Sequence, residues 1–178
     1  MTKYITFASL IFTVFMVDAQ IAIGKETING NSTILDFNNV SGNNKGLILP
    51  AVDAEPIFTI TPNISSVNNG TFIFDKTEKK VKMFENNDWV DLTSAGNDSQ
   101  IVVNPSAESS SQQGVIIGSD NSAATGVLIL ESADKAMILP QIANPHTAVQ
   151  GPYAGMICYD TVSKSLAVFD GVLWHYWK

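Results

Sequence analysis

The chain of 178 residues carries 17 acidic and 10 basic side chains, a formal net charge of −7, and is 45% hydrophobic but only 15% charged. This composition is typical of a globular protein. The acidity disfavours nucleic acid and anionic membranes as partners, because both select basic surfaces. A single cysteine, Cys158, excludes an internal disulfide, so the fold must be held together by packing.

The first residues have the pattern of a secretory signal peptide. Lys3 precedes an apolar run over residues 4–17, and Ala19 offers a small side chain for cleavage before Gln20. The run is shorter than the roughly 20 apolar residues that a membrane-spanning helix needs. We therefore predict a signal peptide at residues 1–19, export through the inner membrane, and no membrane span after cleavage. The expected location is the cell surface or the extracellular space, with the periplasm as the alternative.

The rest of the chain contains one pattern written twice. Short blocks rich in Ile, Leu, Val and aromatic residues recur in the same order, separated by polar stretches. The matching blocks are residues 21–24 and 115–118, residues 45–50 and 135–140, and residues 70–89 and 155–174. Within the last pair, Gly, Asp, Lys, Phe and Trp recur at a constant spacing of 85 residues.

Each block predicts β-strands, because it is short, apolar and bounded by Gly, Asn, Ser or Pro. Residues 70–93 and their second copy predict three strands joined by tight turns. The expected fold is all-β, with two tandem copies of a small β-repeat that each end in a three-strand antiparallel meander. The boundaries are residues 20–93 for the first repeat, residues 94–114 for a Ser/Asn/Gln-rich linker or long loop, and residues 115–178 for the second repeat.

The residues shared by the two meanders are interpreted as structural. An Asp at the end of the first strand can accept hydrogen bonds from the backbone of the following turn, and Phe and Trp supply core area. The shared positions are Asp75, Phe84, Trp89, Asp160, Phe169 and Trp174.

A catalytic interpretation would start from Cys158, Asp160, His146 and His175, and the repeat argues against it. Cys158 corresponds to Ile73, and His175 corresponds to Val90. Apolar counterparts indicate packing positions, where cysteine behaves as a small hydrophobe. We predict that the chain is not an enzyme and has neither catalytic residues nor a cofactor; hydrolysis by a pair of carboxylates is the least favoured alternative.

Metal binding is not predicted either. Two distant histidines and one cysteine do not provide a zinc site. The acidic loops at residues 53–55, 86–88 and 120–122 lack the regular ligand spacing of a dedicated calcium loop, so we interpret them as solvated loops.

The carboxyl end is the candidate interaction surface. It consists of Trp174, which matches Trp89, and of His175, Tyr176 and Trp177, an aromatic run that the first repeat does not contain. The run can close the core of the final strand, or it can present a patch to a partner protein or a carbohydrate, since aromatic rings provide contact area at little cost in rotamer entropy.

Each repeat is also small enough that a lone core is marginal, and open strand edges need cover. We therefore expect self-association or incorporation into a larger surface assembly.

Together, the Lys-Gly-Leu-Ile-Leu-Pro block at residues 45–50, Gly70 to Asp75, Phe84 to Trp89 and their second copies resemble a repeat of secreted proteins of the Bacteroidota. That repeat occurs in surface, adhesin-like and tail-fibre-like proteins. The resemblance implies an exported, non-enzymatic structural or adhesive subunit of a cell-surface or extracellular assembly. The alternative is a carbohydrate-binding module that uses the carboxyl-terminal aromatic residues.

Overall fold

The computed structural model describes residues 20–102 and 114–178; the predicted signal peptide and most of the predicted linker lie outside these ranges. The described residues form fourteen strands and one short helix, which confirms the all-β prediction. The elements are β1 (Ile21–Ile23), β2 (Thr33–Phe37), β3 (Leu47–Ile48), β4 (Ala51–Val52), β5 (Thr71–Asp75), β6 (Lys80–Glu85), β7 (Asp88–Asp91), β8 (Val115–Ile117), β9 (Leu128–Leu130), β10 (Ala136–Ile138), β11 (Gln141–Ile142), α1 (Pro145–Ala148), β12 (Met156–Asp160), β13 (Ser165–Phe169) and β14 (Trp174–Trp177).

The two predicted meanders are present as β5–β6–β7 and β12–β13–β14, each with antiparallel neighbours. Each meander gains a short parallel strand from the chain just before it, β4 beside β5 and β11 beside β12. The amino-terminal parts of the repeats also match, because β1 pairs in parallel with β2 and β8 pairs in parallel with β9.

The repeats share sheets, a point that the sequence left open. Strand β3 of the first repeat pairs antiparallel with β12 of the second, and β10 of the second repeat pairs in parallel with β2 of the first. Both of these strands belong to the apolar blocks that end in proline, Pro50 and Pro140. A strand with apolar side chains on both faces needs cover on both faces, and here the other repeat supplies part of it.

The main core lies between the two meanders and takes residues from both. Buried side chains of the first repeat pack against buried side chains of the second. The set is Leu49, Phe74, Val81 and Leu92 with Ala154, Ile157 and Val168. A smaller cluster joins Ile34 and Leu35 of β2 to Ile117 of β8. At about 1.5–3 kcal/mol for each fully buried large apolar side chain, this shared burial binds the repeats into one folding unit.

The first part of the predicted linker packs tightly between the repeats. The N–H of Gly96 donates to the carbonyl of Lys79 at 2.8 Å, and the N–H of Asn97 donates to the carbonyl of Asp170 at 2.9 Å. A side chain at Gly171, where φ is +98°, would place its Cβ 1.9 Å from the carbonyl oxygen of Asn97. Glycine is therefore required at this crossing, because any larger residue would displace the linker.

Candidate functional site

A buried ion cluster occupies the outer face of the first meander. The Lys82 side chain on β6 is only 4% exposed, and its Nζ lies 2.5 Å from Glu55, 3.1 Å from Glu78 and 3.4 Å from Asp75. Burial would lower the pKa of Lys82, but hydrogen bonds from its ammonium to Glu55 and Glu78 outweigh burial and raise it. Lys82 is therefore charged, and the cluster is a satisfied structural element.

The same carboxylates are the one group of described residues placed closely enough to hold a metal ion, namely Glu55, Asp75 and Glu78. The ammonium of Lys82 already lies among them and supplies the positive charge that they require. The Lys82 ammonium therefore explains their arrangement without a metal ion.

The two repeated aspartates organise the turn after the first meander strand. Asp75 accepts a hydrogen bond from the N–H of Thr77 at 2.8 Å, and Asp160 accepts one from the N–H of Val162 at 2.9 Å. Asp160 is buried, which alone would raise its pKa, but hydrogen bonds from Ser163 and from backbone N–H groups lower the pKa overall. Both aspartates therefore have a structural role, because each accepts hydrogen bonds from the backbone of the turn that follows it.

Among the described residues, the members of the catalytic interpretation are not joined to one another by hydrogen bonds, although Cys158 and Asp160 lie close together on β12. Cys158 is fully buried among apolar side chains, and burial raises the pKa of its thiol to about 12. Nε2 of His175 is 2.7 Å from Asp170, and Nδ1 of His146 is 3.0 Å from the hydroxyl of Tyr176. In residues 20–102 and 114–178, no hydrogen bond joins Cys158 to a histidine. His175 therefore differs from its apolar counterpart Val90 by having a polar partner.

The carboxyl-terminal aromatic run divides between two faces of β14, since successive side chains of a strand point in opposite directions. Trp174 packs against Phe169 with ring centroids 5.3 Å apart. The indole N–H of Trp177 donates to the carbonyl of Leu92 at 2.8 Å, although the side chain remains 45% exposed. Trp174 therefore contributes to packing within the second repeat, and Trp177 fastens that repeat to the end of the first.

Sequence reasoning expected open strand edges but did not locate them. On one edge of β12, β11 pairs with Tyr159 and Asp160, and β3 pairs with Met156 and Ile157. On the matching edge of β5, β4 pairs only with the last two residues. Among the described residues, no strand pairs with that edge at Thr71 and Phe72. The 85-residue spacing aligns the two edges, but it does not show which of them is covered.

Large apolar side chains are also exposed on the short strands. They include Ile48 on β3, Leu128 on β9, Val115 on β8, and Ile21 and Ile23 on β1, each at least 39% exposed. Exposed apolar side chains beside unpaired strand edges are typical of surfaces that bind another protein.

Within the described part of the chain, no helix is long and apolar enough to cross a membrane. Searches of curated proteins and of solved structures found no match.

A protein-family model described as "Phage tail like trimerisation region" matches residues 22–115, more than half of the chain. The match covers the first repeat from its third residue onward, including the unpaired edge of β5 and the exposed strand β3. The chain therefore belongs to the phage tail-like trimerisation region family, and it is a self-associating structural protein of the tail-fibre-like kind.

Proposed function

We propose that the chain is exported through the inner membrane and forms a trimer that serves as a non-enzymatic structural or adhesive subunit of a cell-surface or extracellular assembly. The observation that carries the proposal is the family match over residues 22–115. The unpaired strand edges and exposed apolar side chains of the same repeat support it, because a subunit needs surfaces that a partner covers.

The proposed export depends on the amino-terminal pattern of Lys3, the apolar run and Ala19. Fractionation of the producing cells, followed by amino-terminal sequencing, tests it. We expect a mature chain that begins at Gln20 outside the cytoplasm, attached to a larger assembly that co-purifies with it. An uncleaved chain that begins at Met1 and stays in the cytoplasm would contradict the proposal.

Carbohydrate binding by the carboxyl-terminal aromatic residues is the second candidate, and the partial exposure of Tyr176 and Trp177 favours it. These neighbouring rings lie on opposite faces of β14, so a flat sugar ring can stack on only one of them. A glycan array with Tyr176→Ala and Trp177→Ala variants tests this candidate. Glycan binding that one substitution abolishes would support it, and an array without signal would remove it.

A further inference from the structure

The unpaired edge of β5 has backbone groups ready for another strand. The N–H of Phe74 donates to Pro50 at 2.8 Å, and the N–H of Lys76 donates to Val52 at 2.9 Å, both across the edge that faces β4. Because backbone groups alternate in direction along a strand, the N–H and C=O of Phe72 point to this same edge. The counterpart of Phe72 is Ile157, which pairs with Leu47 of β3.

Strand β10 has the complementary free edge. In β3, the N–H of Leu49 donates to Gly155 at 3.0 Å, so alternation directs Leu47 toward β12 as well. The counterparts in β10 are Met137 and Leu139. The N–H of Ala136 donates to the carbonyl of Ser32 on the β2 side at 2.8 Å. The register shifts between Ala136 and Met137, but the extra residue, Ile34, lies on β2. Alternation along β10 therefore directs the N–H groups of Met137 and Leu139 away from β2. Among the described residues, no strand pairs with β10 on that side.

We propose that β10 of one copy pairs antiparallel with the free edge of β5 in a second copy, with Met137 opposite Phe72 and Ile138 opposite Thr71. The inference rests on the self-association proposed above and names the strands that perform it. The proposed register between the two copies is the same as the register of β3 and β12 within one chain, where Leu47 is opposite Ile157 and Ile48 is opposite Met156.

Side-chain size suits this pairing. A Cβ at Gly46, the residue before β3, would lie 2.5 Å from the side chain of Met156 and 2.9 Å from the carbonyl oxygen of Ile157, so glycine is needed beside both. The counterpart of Gly46 is Ala136, and the counterpart of Met156 is the shorter Thr71. The added methyl group of Ala136 therefore meets a smaller side chain, and β10 must lie slightly further from the carbonyl of Phe72 than β3 lies from the carbonyl of Ile157. Gly70 is consistent with an unoccupied edge, because a Cβ there would meet nothing within 4 Å, whereas a Cβ at its counterpart Gly155 would lie 3.7 Å from the side chain of Leu49, the residue that follows β3.

The proposed contact between two copies also covers a second free edge, that of β9. Strand β9 pairs with β8 on one side, and no described strand pairs with its other side, which corresponds to the side of β2 that receives β10. Strands β3 and β9 are the counterparts of β10 and β2. If they pair between two copies as β10 and β2 pair within one chain, β3 of the second copy lies alongside β9. Leu128 on β9, 40% exposed, would then lie opposite Leu47, and Ile48 on β3, 50% exposed, would lie opposite Ile129. A head-to-tail contact of this kind closes into a ring when the rotation between copies permits it.

The test is a cysteine cross-link between two distinguishable chains. Thr71 and Ile138 would occupy a non-hydrogen-bonded antiparallel pair, in which Cα atoms approach to about 4.5 Å, within the range of a disulfide. A Thr71→Cys chain and a tagged Ile138→Cys chain, both with Cys158→Ala, are expressed together and oxidised. We expect a covalent heterodimer on a denaturing, non-reducing gel, which a Ser119→Cys chain replacing the Thr71→Cys chain does not give.

Each alternative occupant has its own outcome. The Ile48→Cys/Met156→Cys double variant is the positive control and forms a bridge within one chain. Efficient cross-linking of Thr71→Cys to Ile48→Cys of another chain would show that β3 fills the edge, and a bridge within one Thr71→Cys/Ile138→Cys chain would show that β10 fills it internally; either result overturns the proposal. A trimeric protein without the expected heterodimer overturns this pairing alone. A protein that stays monomeric overturns both the pairing and the proposed trimer.

Discussion

The two meanders share their strand order and turn aspartates but differ on their outer faces. In the first, Lys82 lies buried among carboxylates, and Phe58, Phe84 and Trp89 pack together beside it. In the second, Ala167 takes the place of Lys82 and packs with Cys158 in an apolar cluster. The aspartates that form the turns are therefore the same in both meanders, whereas the side chains on the outer face differ. In each meander these outer side chains pack against the loop that precedes it in the chain.

The edges of the two meanders differ in the same way. Strand β3 covers the edge of β12, whereas the matching edge of β5 is unpaired among the described residues. One repeat thus completes the other within the chain, but the first repeat is left incomplete. The difference shows how a duplicated unit can keep one of its two strand-pairing surfaces for another copy.

The largest effect is expected from exchanging the turn residues of the two meanders. Gly171→Asn would drive a side chain into the backbone of Asn97, so we expect a loss of about 3 kcal/mol in the free energy of unfolding. The reverse exchange, Asn86→Gly, meets no such constraint because Asn86 already tolerates a φ of +51°, and should change stability by less than about 1 kcal/mol. Urea unfolding measures both. Equal losses would show that the linker does not lock the second meander.

Placing the second repeat's residue in the first, as Lys82→Ala, removes the cation from the buried cluster. Asp75 would be left buried without its ion partner, and we expect a loss of about 3 kcal/mol in unfolding free energy. The matched control is Lys80→Ala, whose ion pairs with Glu78 and Asp91 are more exposed and should be worth less than about 1 kcal/mol.

Adding Asp75→Asn to Lys82→Ala tests whether the unpaired carboxylate of Asp75 causes the loss of stability, because asparagine carries no charge. We expect this double variant to recover part of the lost stability in the same urea measurement. If Lys82→Ala and Lys80→Ala were equally stable, the buried cluster would not be the feature that distinguishes the first meander.

A smaller effect is expected where the last strand of the second repeat meets the end of the first. Trp177→Leu installs the residue type of its counterpart, Leu92, and removes the hydrogen bond from the indole to the Leu92 carbonyl. We expect a loss of about 1–2 kcal/mol in unfolding free energy. Tyr176→Phe is the control, since it removes an exposed hydroxyl and should cost less than about 0.5 kcal/mol. A Trp177 variant as stable as wild type would mean that this contact does not fasten the repeats.

The smallest expected effect is on the acid side of the stability profile. The folded-state pKa of Asp160 lies below its ordinary value of 3.8, so its contribution is present above that value and is lost as the pH falls through the folded pKa. The pKa of Lys82 is raised above 10.5, so its contribution is complete below pH 10.5 and is lost only in strong alkali. Unfolding measured from pH 6 to pH 2 should therefore show a shallower acid decline for Asp160→Asn than for wild type; identical slopes would contradict the assignment.

The sequence predicted the strands of both meanders because their apolar residues and turn signals are local, and the constant spacing of 85 residues aligned them without ambiguity. It also identified Cys158 as a packing position from its counterpart Ile73. It did not predict the exchange of β3 and β10 between repeats, since pairing between distant strands depends on edges that no local pattern marks. Lys82 was missed for a related reason, because its partner Glu55 lies 27 residues away in an irregular loop.

The central claim is that this chain assembles into a trimer, and the native mass in solution tests it most directly. Light scattering on the chain from Gln20 onward should give three times the mass of one chain, independent of dilution over the accessible range. A mass of one chain at every concentration would contradict it.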